Sequence, residues 1–192
     1  YTQDGTTFKR ETFSSYPDDV TVTHLTKKGN KTLDFTLWNS LTEDLLANGN
    51  YSWEYSNYKN GHVTTDEHGI LLKGTVKDNG LKFASYLGIK TDGTVTVQNE
   101  TLTVTGASYA TLYLSAKTNF AQNPKTNYRK DIDLEKTVKG IVEAAKAKDY
   151  ETLKKDHIKD YQSLFNRVKL NLVGNKTTQT TKEALQSYNP EK

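Results

Sequence analysis

Apolar and polar residues alternate along most of the first 120 residues, which is the pattern of β-strands with one buried face. The segment TLDFTLW places Leu33, Phe35 and Leu37 on one face, and the segments LKFASYLGI and SYATLYLSA alternate in the same way. Turn-forming segments that contain Asn, Asp and Gly separate these runs, with no helical pattern between them. The pattern predicts a mainly β fold, an antiparallel β-sandwich of the supersandwich type over residues 1–120.

Two of the turn signals predict specific connections. Asp92 and Gly93 lie between two alternating runs, and both residue types tolerate positive φ, so this pair predicts a two-residue β-hairpin. Such a hairpin would pair the flanking strands with each other in one sheet. The Lys-Asn-Gly sequence at 59–61 predicts a second turn.

The apolar spacing changes from two to about 3.6 residues after Pro124, which predicts helices. The segment DIDLEKTVKGIVEAAKAKD predicts a first helix with Asp131 or Asp133 as its N-cap, and Asp149 is predicted to cap a second. The second helix carries an apolar stripe made of Leu153, His157, Tyr161, Leu164, Phe165 and Val168. The segment VKLNLVG then predicts a short strand, and TTKEALQSYN predicts the start of a further helix. We therefore expect residues 121–192 to form a helical hairpin linker with a short strand.

This apolar stripe is too wide to be covered by one neighbouring helix. We expect one of Leu164 and Phe165 to face the sandwich and the other to face a further domain. The residues predicted to form this interface are His157, Asp160, Tyr161 and Arg167.

Composition and charge argue against several classes of function. The 192-residue chain has 26 Lys and Arg against 23 Asp and Glu, and the basic residues do not cluster, which argues against nucleic-acid binding. No apolar run approaches the roughly 18 residues of a membrane span. There is no Cys, so disulfides and thiolate chemistry are excluded. There is also no Met, even at position 1, which predicts that the chain is a piece of a longer protein.

The segment HIKDYQSLFNRV is the strongest candidate for catalytic chemistry. On a helix, His157 and Tyr161 share a face and Asp160 lies three residues from His157, so a His–Asp pair could orient a general base. Such a pair also needs a nucleophile and an oxyanion hole, and the sequence contains no G-x-S-x-G and no Cys. A metal site would need a further ligand at close spacing. We therefore predict a half-buried structural histidine, and no catalytic residue, metal or cofactor.

Two other clusters have both a functional and a structural interpretation. Trp53 and Tyr55, with other aromatic residues nearby, could form a platform for a sugar ring. Tyr and Trp are equally common at the rim of a sandwich core, and we favour that interpretation. The loop GHVTTDEHG contains His62 and His68 beside two acidic residues, and a solvent-exposed hairpin tip is favoured over a metal site.

Three segments in this order resemble the amino-terminal region of glycoside hydrolase family 95, the α-L-fucosidases. They are RETFSSYPDDVTVTHL, VTGASYATLYLSAKTNF and HIKDYQSLFNRVKLNL. The third segment is the most specific, and residues 27–80 resemble the family only loosely. The matching residues are Arg10, Glu11, Phe13, Ser15, Pro17, Asp18, Val20, Thr118, Asn119, Phe120, His157, Asp160, Tyr161, Leu164, Phe165, Arg167 and Val168.

The resemblance implies a parent enzyme with a β-sandwich, a helical linker, an (α/α)6 catalytic barrel and a C-terminal β-domain. Members of the family hydrolyse terminal α-1,2-linked L-fucose with inversion, using a Glu as general acid and an Asp-supported pair of Asn that activates water. These groups lie in the barrel, so none of them is carried onto this sequence. The implied partners are the barrel of the same chain and, for the parent enzyme, a fucosylated glycan.

We therefore interpret the chain as a non-catalytic N-terminal region of a bacterial α-L-fucosidase, inactive by itself. The alternatives are a carbohydrate-binding or adhesin-like sandwich, and a complete small hydrolase that uses His157 and Asp160. The Lys-, Asn-, Thr- and Tyr-rich composition is typical of low-GC Gram-positive bacteria. For a protein of such a bacterium we expect a secreted or cell-surface location, with the cytoplasm as the alternative.

Overall fold

The computed structural model describes residues 1–39, 59–171 and 179–189. The strands in these ranges are β1 Thr2–Gln3, β2 Thr6–Ser15, β3 Val20–Lys28, β4 Leu33–Leu37, β5 Lys59–Asp66, β6 Gly69–Val76, β7 Lys82–Thr91, β8 Thr94–Gln98, β9 Thr101–Ala107 and β10 Tyr109–Thr118. The helices are α1 Leu134–Lys146, α2 Tyr150–Phe165 and α3 Thr181–Ser187, and a short 3-10 turn spans Pro124–Thr126.

Two antiparallel sheets pack face to face. The large sheet has seven strands in the order β1-β2-β3-β10-β7-β6-β5, and the small sheet has three in the order β4-β9-β8. Each described strand pair runs antiparallel. The predicted mainly β sandwich followed by a helical hairpin is therefore confirmed.

The first core lies between the two sheets. The small sheet contributes Leu102 and Val104, which are fully buried, and the large sheet contributes Ile70 and Ile89. Burying a side chain of this size stabilises the folded state by about 1.5–3 kcal/mol. Buried residues alternate with less buried ones along the first half of β9, so the period of two in the sequence corresponds to this core.

The second core lies on the outer face of the large sheet, where the helical hairpin packs. Val138 and Val142 of α1 are fully buried in a cluster with Tyr86 and Tyr113 of the sheet. Gly88 permits this close approach, because a Cβ at that position would lie 2.5 Å from Cγ1 of Val142. The chain therefore forms three layers: the small sheet, the large sheet and the helices.

The predicted helix starts are confirmed. Asp133 caps α1, since its carboxylate accepts a hydrogen bond from the backbone N–H of Lys136 at 3.0 Å. Thr180 and Glu183 form a capping box at the start of α3. The predicted strand VKLNLVG is not formed over residues 168–171, and its remaining residues lie outside the described ranges. Each helix in the described part of the chain is too short or too polar to cross a membrane.

The predicted hairpin at Asp92 and Gly93 is wrong. These residues connect β7 of the large sheet to β8 of the small sheet, so the flanking strands pair with other partners. The Asp92 carboxylate accepts hydrogen bonds from the backbone N–H groups of Ser108 at 2.8 Å and Tyr109 at 3.1 Å, and from the Ser108 hydroxyl. It thereby joins this crossing to the second one, between β9 and β10. Gly93 leaves room for the contact, because a Cβ there would lie 2.7 Å from the Cβ of Ala107.

The predicted turn at residues 59–61 is also wrong. These residues begin β5, and Gly61 pairs with Gly74 of β6. Pairing with a neighbouring strand overrides the local turn preference of Asn and Gly at this position. The actual β5–β6 turn follows Asp66, whose carboxylate accepts hydrogen bonds from the backbone N–H groups of His68 at 2.8 Å and Gly69 at 3.0 Å.

Candidate functional site

The start of α2 is fixed by two sets of polar contacts. Asp149 is the N-cap, as predicted, and accepts a hydrogen bond from the backbone N–H of Thr152 at 2.8 Å. Just before the helix, Nζ of Lys148 lies 2.6 Å from the carboxylate of Asp18, which also accepts a hydrogen bond from Ser15 at 2.7 Å. The side chain of Asp18 is only 6% exposed, so this ion pair ties the α1–α2 turn closely to the β2–β3 turn.

The first half of α2 packs on the large sheet through an apolar and aromatic contact. Leu153 is fully buried in the core shared with α1. The ring of Tyr150 stacks on His24 of β3 with centroids 4.0 Å apart. The ring of His157 stacks on Phe13 of β2 at 5.0 Å. Two turns of α2 therefore lie across β3 and β2.

Charged groups surround this contact. The Glu11 carboxylate accepts from Nζ of Lys154 at 2.7 Å and lies 2.8 Å from Nζ of Lys9. These hydrogen bonds, that of Lys154 first, lower the pKa of Glu11 to about 2. The bond to Glu11 in turn raises the pKa of Lys154. The pair is therefore charged at all moderate pH values and links β2 to α2.

The two rings nearest this ion pair are partly withdrawn from water. Nδ1 of His24 lies 2.7 Å from the hydroxyl of Thr111, and burial lowers the pKa of His24. Burial likewise raises the pKa of Tyr150, whose hydroxyl has no hydrogen-bond partner among the described residues. Both shifts favour the neutral ring, so the aromatic contact is built from uncharged groups.

The second half of α2 continues the apolar stripe into solvent. Tyr161 is 52% exposed, Leu164 57% and Phe165 63%. The ring of Tyr161 stacks on Phe165 at 5.2 Å, so these side chains cover one another. Beyond the helix, Val168 and Leu170 are also largely exposed. We call these five residues the α2 apolar face.

The expectation that either Leu164 or Phe165 faces the sandwich is wrong, since both are exposed. The reason is geometric. The helix contacts β3 at Tyr150 and β2 at His157, and His157 is the last residue of α2 whose ring contacts the sheet. Both residues lie about two turns further along the helix.

The other predicted interface residues lie on the same helix. His157 is half-buried, and its ring also contacts Tyr161 with centroids 6.0 Å apart. The backbone carbonyl of Asp160 accepts a hydrogen bond from Ser163 at 2.7 Å. Nε of Arg167 donates to the carbonyl of Ser163 at 2.9 Å, at the end of the helix. The structure therefore brings His157 and Tyr161 into contact and places Asp160 and Arg167 beside them along α2.

The remaining candidates do not form a site in the described residues. Trp53 and Tyr55 of the possible sugar platform lie outside the described ranges, and Trp38 is 49% exposed. His68 lies 3.8 Å from Glu67, and no group of three metal-ligating side chains occurs where the structure describes the chain.

Sequence analysis missed the sheet residues beneath α2. Glu11 and Phe13 are alternate positions of β2, and His24 of β3 pairs with Glu11; all three contact the helix. Their signal is the alternation of β2, in which Glu11, Phe13 and Ser15 point to the face opposite the sandwich core. Tyr150 was missed because it precedes the stripe, although it lies three residues before Leu153 on the same side of the helix.

Comparisons with known proteins give a consistent picture. A family model for the N-terminal domain of glycosyl hydrolase family 65 matches residues 1–123. Alpha-L-fucosidase 2 of Arabidopsis thaliana is 24% identical over 208 residues, which cover 96% of this chain and 23% of that protein. A solved structure described as "Putative kojibiose phosphorylase from human microbiome" has the same fold with a TM-score of 0.54 and 11% identity. The match covers 83% of this chain and 21% of that one, so the chain spans less than a quarter of either relative.

Proposed function

The chain belongs to the glycosyl hydrolase family 65 N-terminal domain family, and from that premise we propose that it is a non-catalytic support region of a glycoside hydrolase. In this proposal, the α2 apolar face packs against an (α/α)6 catalytic barrel of the same polypeptide. The helical hairpin holds the barrel and the sandwich in a fixed relation. The glycosidic bond of the substrate is hydrolysed at a site in the barrel, away from the sandwich.

The observation that carries this proposal is the continuity of the stripe on α2. In its first half, Leu153 is fully buried and His157 is half-buried against the large sheet, whereas Tyr161 and Phe165 in its second half are exposed. Exposed apolar patches of a few hundred Å2 usually mark a partner surface. The α2 apolar face lies next to residues of the same helix that pack on the large sheet. This position favours a partner domain of the same chain. The relatives that match are about four times longer than this chain, so they have room for such a domain.

We further propose that the parent enzyme belongs to family 95 and removes terminal α-1,2-linked L-fucose from glycans with inversion. The resemblance of the three segments from Arg10 to Leu172 supports this, and one relative is named as an α-L-fucosidase. The composition supports a bacterial source, and for such a source we propose a secreted or cell-surface location. The family model names family 65, and the assignment to family 95 stays a prediction.

A turnover assay tests the non-catalytic role. We expect the purified 192-residue chain to release no L-fucose from 2′-fucosyllactose above the buffer background, because the acid and base of the reaction lie in the barrel. Release of fucose that disappears in His157→Ala, but persists in the exposed control variant His62→Ala, would contradict the proposal. It would favour instead a small hydrolase that uses His157 and Asp160.

A further inference from the structure

The loop between β10 and α1 carries two exposed aromatic rings that lie parallel to each other. Phe120 is 51% exposed and Tyr128 is 44% exposed. Their planes are inclined by only 2°, and their centroids are 6.3 Å apart. The two rings therefore offer faces of the same orientation to a ligand. We call this pair of rings the loop platform.

The backbone that presents Tyr128 is strained. Asn127 and Tyr128 have φ angles of 51° and 57°, which lie in the left-handed region. Asn tolerates this region, but it is unusual for a residue as large as Tyr. Such strain persists only where the surrounding contacts enforce it, and it clusters at sites that hold a ligand.

Hydrogen bonds within the loop enforce this conformation. The backbone N–H of Tyr128 donates to the carbonyl of Asn123 at 3.0 Å. The carbonyl of Tyr128 accepts from the backbone N–H of Ala121 at 3.0 Å and from Nη1 of Arg129 at 3.1 Å. The backbone of Phe120 also forms an antiparallel bridge with that of Arg129. The two rings therefore stand on the two antiparallel sides of one loop.

The loop is also fixed to the large sheet. Asn119 is buried, and its side-chain oxygen accepts from the backbone N–H of Lys82 at 2.9 Å. The backbone N–H of Asn119 donates to the carbonyl of Lys82 at 3.1 Å, and Nη2 of Arg129 donates to the carbonyl of Asn79 at 2.8 Å. The loop platform is therefore preformed, and binding would require little ordering of the protein.

The groups at the loop platform suit a sugar. The face of an aromatic ring is apolar and slightly negative, which favours contact with the C–H groups of a sugar ring. The side-chain amides of Gln122 and Asn127 lie close to the rings in the sequence and make no hydrogen bond with a described residue. An amide both donates and accepts hydrogen bonds, as the hydroxyls of a sugar do. A nucleic-acid base could also stack here, but the basic residues of the chain do not cluster.

We propose that the loop platform is a carbohydrate-binding site, with the rings of an oligosaccharide stacked on Phe120 and Tyr128. The proposal does not depend on the partner of the α2 apolar face. It gives the domain a direct role in holding a glycan, in addition to its structural role. The aromatic residues that carry it are not those of the platform predicted from Trp53 and Tyr55.

Isothermal titration of the 192-residue chain with 2′-fucosyllactose and with 3′-sialyllactose tests this proposal. We expect saturable, millimolar binding of the neutral sugar. Phe120→Ala and Tyr128→Ala should each weaken it about fivefold or more, as expected for one stacking group in a weak site. Tyr128→Phe should retain it, because the face of the ring makes the contact. Both rings are exposed, so circular dichroism of each variant should match that of the parent chain.

Trp38→Ala is the matched control, because Trp38 is 49% exposed and follows β4 of the small sheet. It should leave binding unchanged. A loss in Trp38→Ala with none in Tyr128→Ala would overturn the proposal in favour of another aromatic surface. Binding of the sialylated sugar alone, which Lys125→Gln would abolish, would overturn it in favour of an anion site. No saturable binding, equal binding by all variants, or a loss in Tyr128→Phe as large as that in Tyr128→Ala would overturn it outright.

Discussion

His24 is the residue at which the packing of α2 depends most directly on protonation. It lies between Tyr150 and Thr111, and burial holds its pKa below the ordinary value of 6.5. The charged groups that act on it are Glu11 and Glu151, which raise its pKa, and Lys9 and Lys154, which lower it. Burial is the largest of these effects, so the folded protein favours the neutral ring.

We therefore predict that stability falls as the pH falls below 6.5. The unfolded chain takes up the proton first, so the contribution of His24 is complete above pH 6.5 and declines toward its lowered pKa. The contribution of Glu11 is lost only at lower pH, as the pH falls from 4.5 to about 2. Urea denaturation at pH 7 and pH 5.5 measures the decline. The decline in the free energy of unfolding between pH 7 and pH 5.5 should be smaller in His24→Gln than in the parent chain.

The exposed His62 provides the control for this experiment. His62→Gln should retain the decline of the parent chain between pH 7 and pH 5.5. If His62→Gln removes the decline and His24→Gln does not, the pH dependence arises outside the α2 contact.

At the scale of elements, α2 has two halves with different surroundings. Leu153 in the first half is fully buried, whereas Leu164 in the second half is 57% exposed. Leucine therefore packs in the core at position 153 of the helix and is exposed to solvent at position 164. This difference separates the contribution of α2 to folding from its contribution to an interface.

Leu153→Ala should lower the free energy of unfolding by about 2–5 kcal/mol, because it leaves a cavity between α2, α1 and the sheet. Leu164→Ala should change it by no more than about 0.5 kcal/mol, as for an exposed position. Urea denaturation of both variants measures the difference. Similar losses in the two would show that the second half of α2 is covered within the chain.

The elements could be predicted more completely than their arrangement. Alternation located β4, β7 and β10, and the caps Asp133 and Asp149 located the helix starts, because both signals are local. The partner of β8 could not be predicted, since a two-residue connection serves a hairpin and a crossing between sheets equally well. The sequence of β10 contains a weak signal for the contact of α1 with the sheet. Its neighbouring residues Leu112 and Tyr113 are both apolar or aromatic, and they pack on opposite faces of the strand, Leu112 in the core between the sheets and Tyr113 in the core with α1.

At the scale of the whole molecule, the large sheet is covered on both faces. The small sheet covers one face, and α1 covers the other with Val138 and Val142. The ion pair of Lys148 with Asp18 and the pair of Lys154 with Glu11 then fix the direction of α2 relative to the sandwich. A helix that is held at its first half can present its second half to a neighbour in a defined orientation.

The central claim is that the α2 apolar face binds the catalytic region of the same polypeptide. Its most direct test is sedimentation velocity of the 192-residue chain mixed with the separately produced remainder of the parent protein. We predict a one-to-one complex that is lost in the variant Tyr161→Ser with Phe165→Ser and retained in Tyr16→Ser, which removes a still more exposed ring elsewhere. No complex, or a complex that survives the double substitution, would contradict the claim.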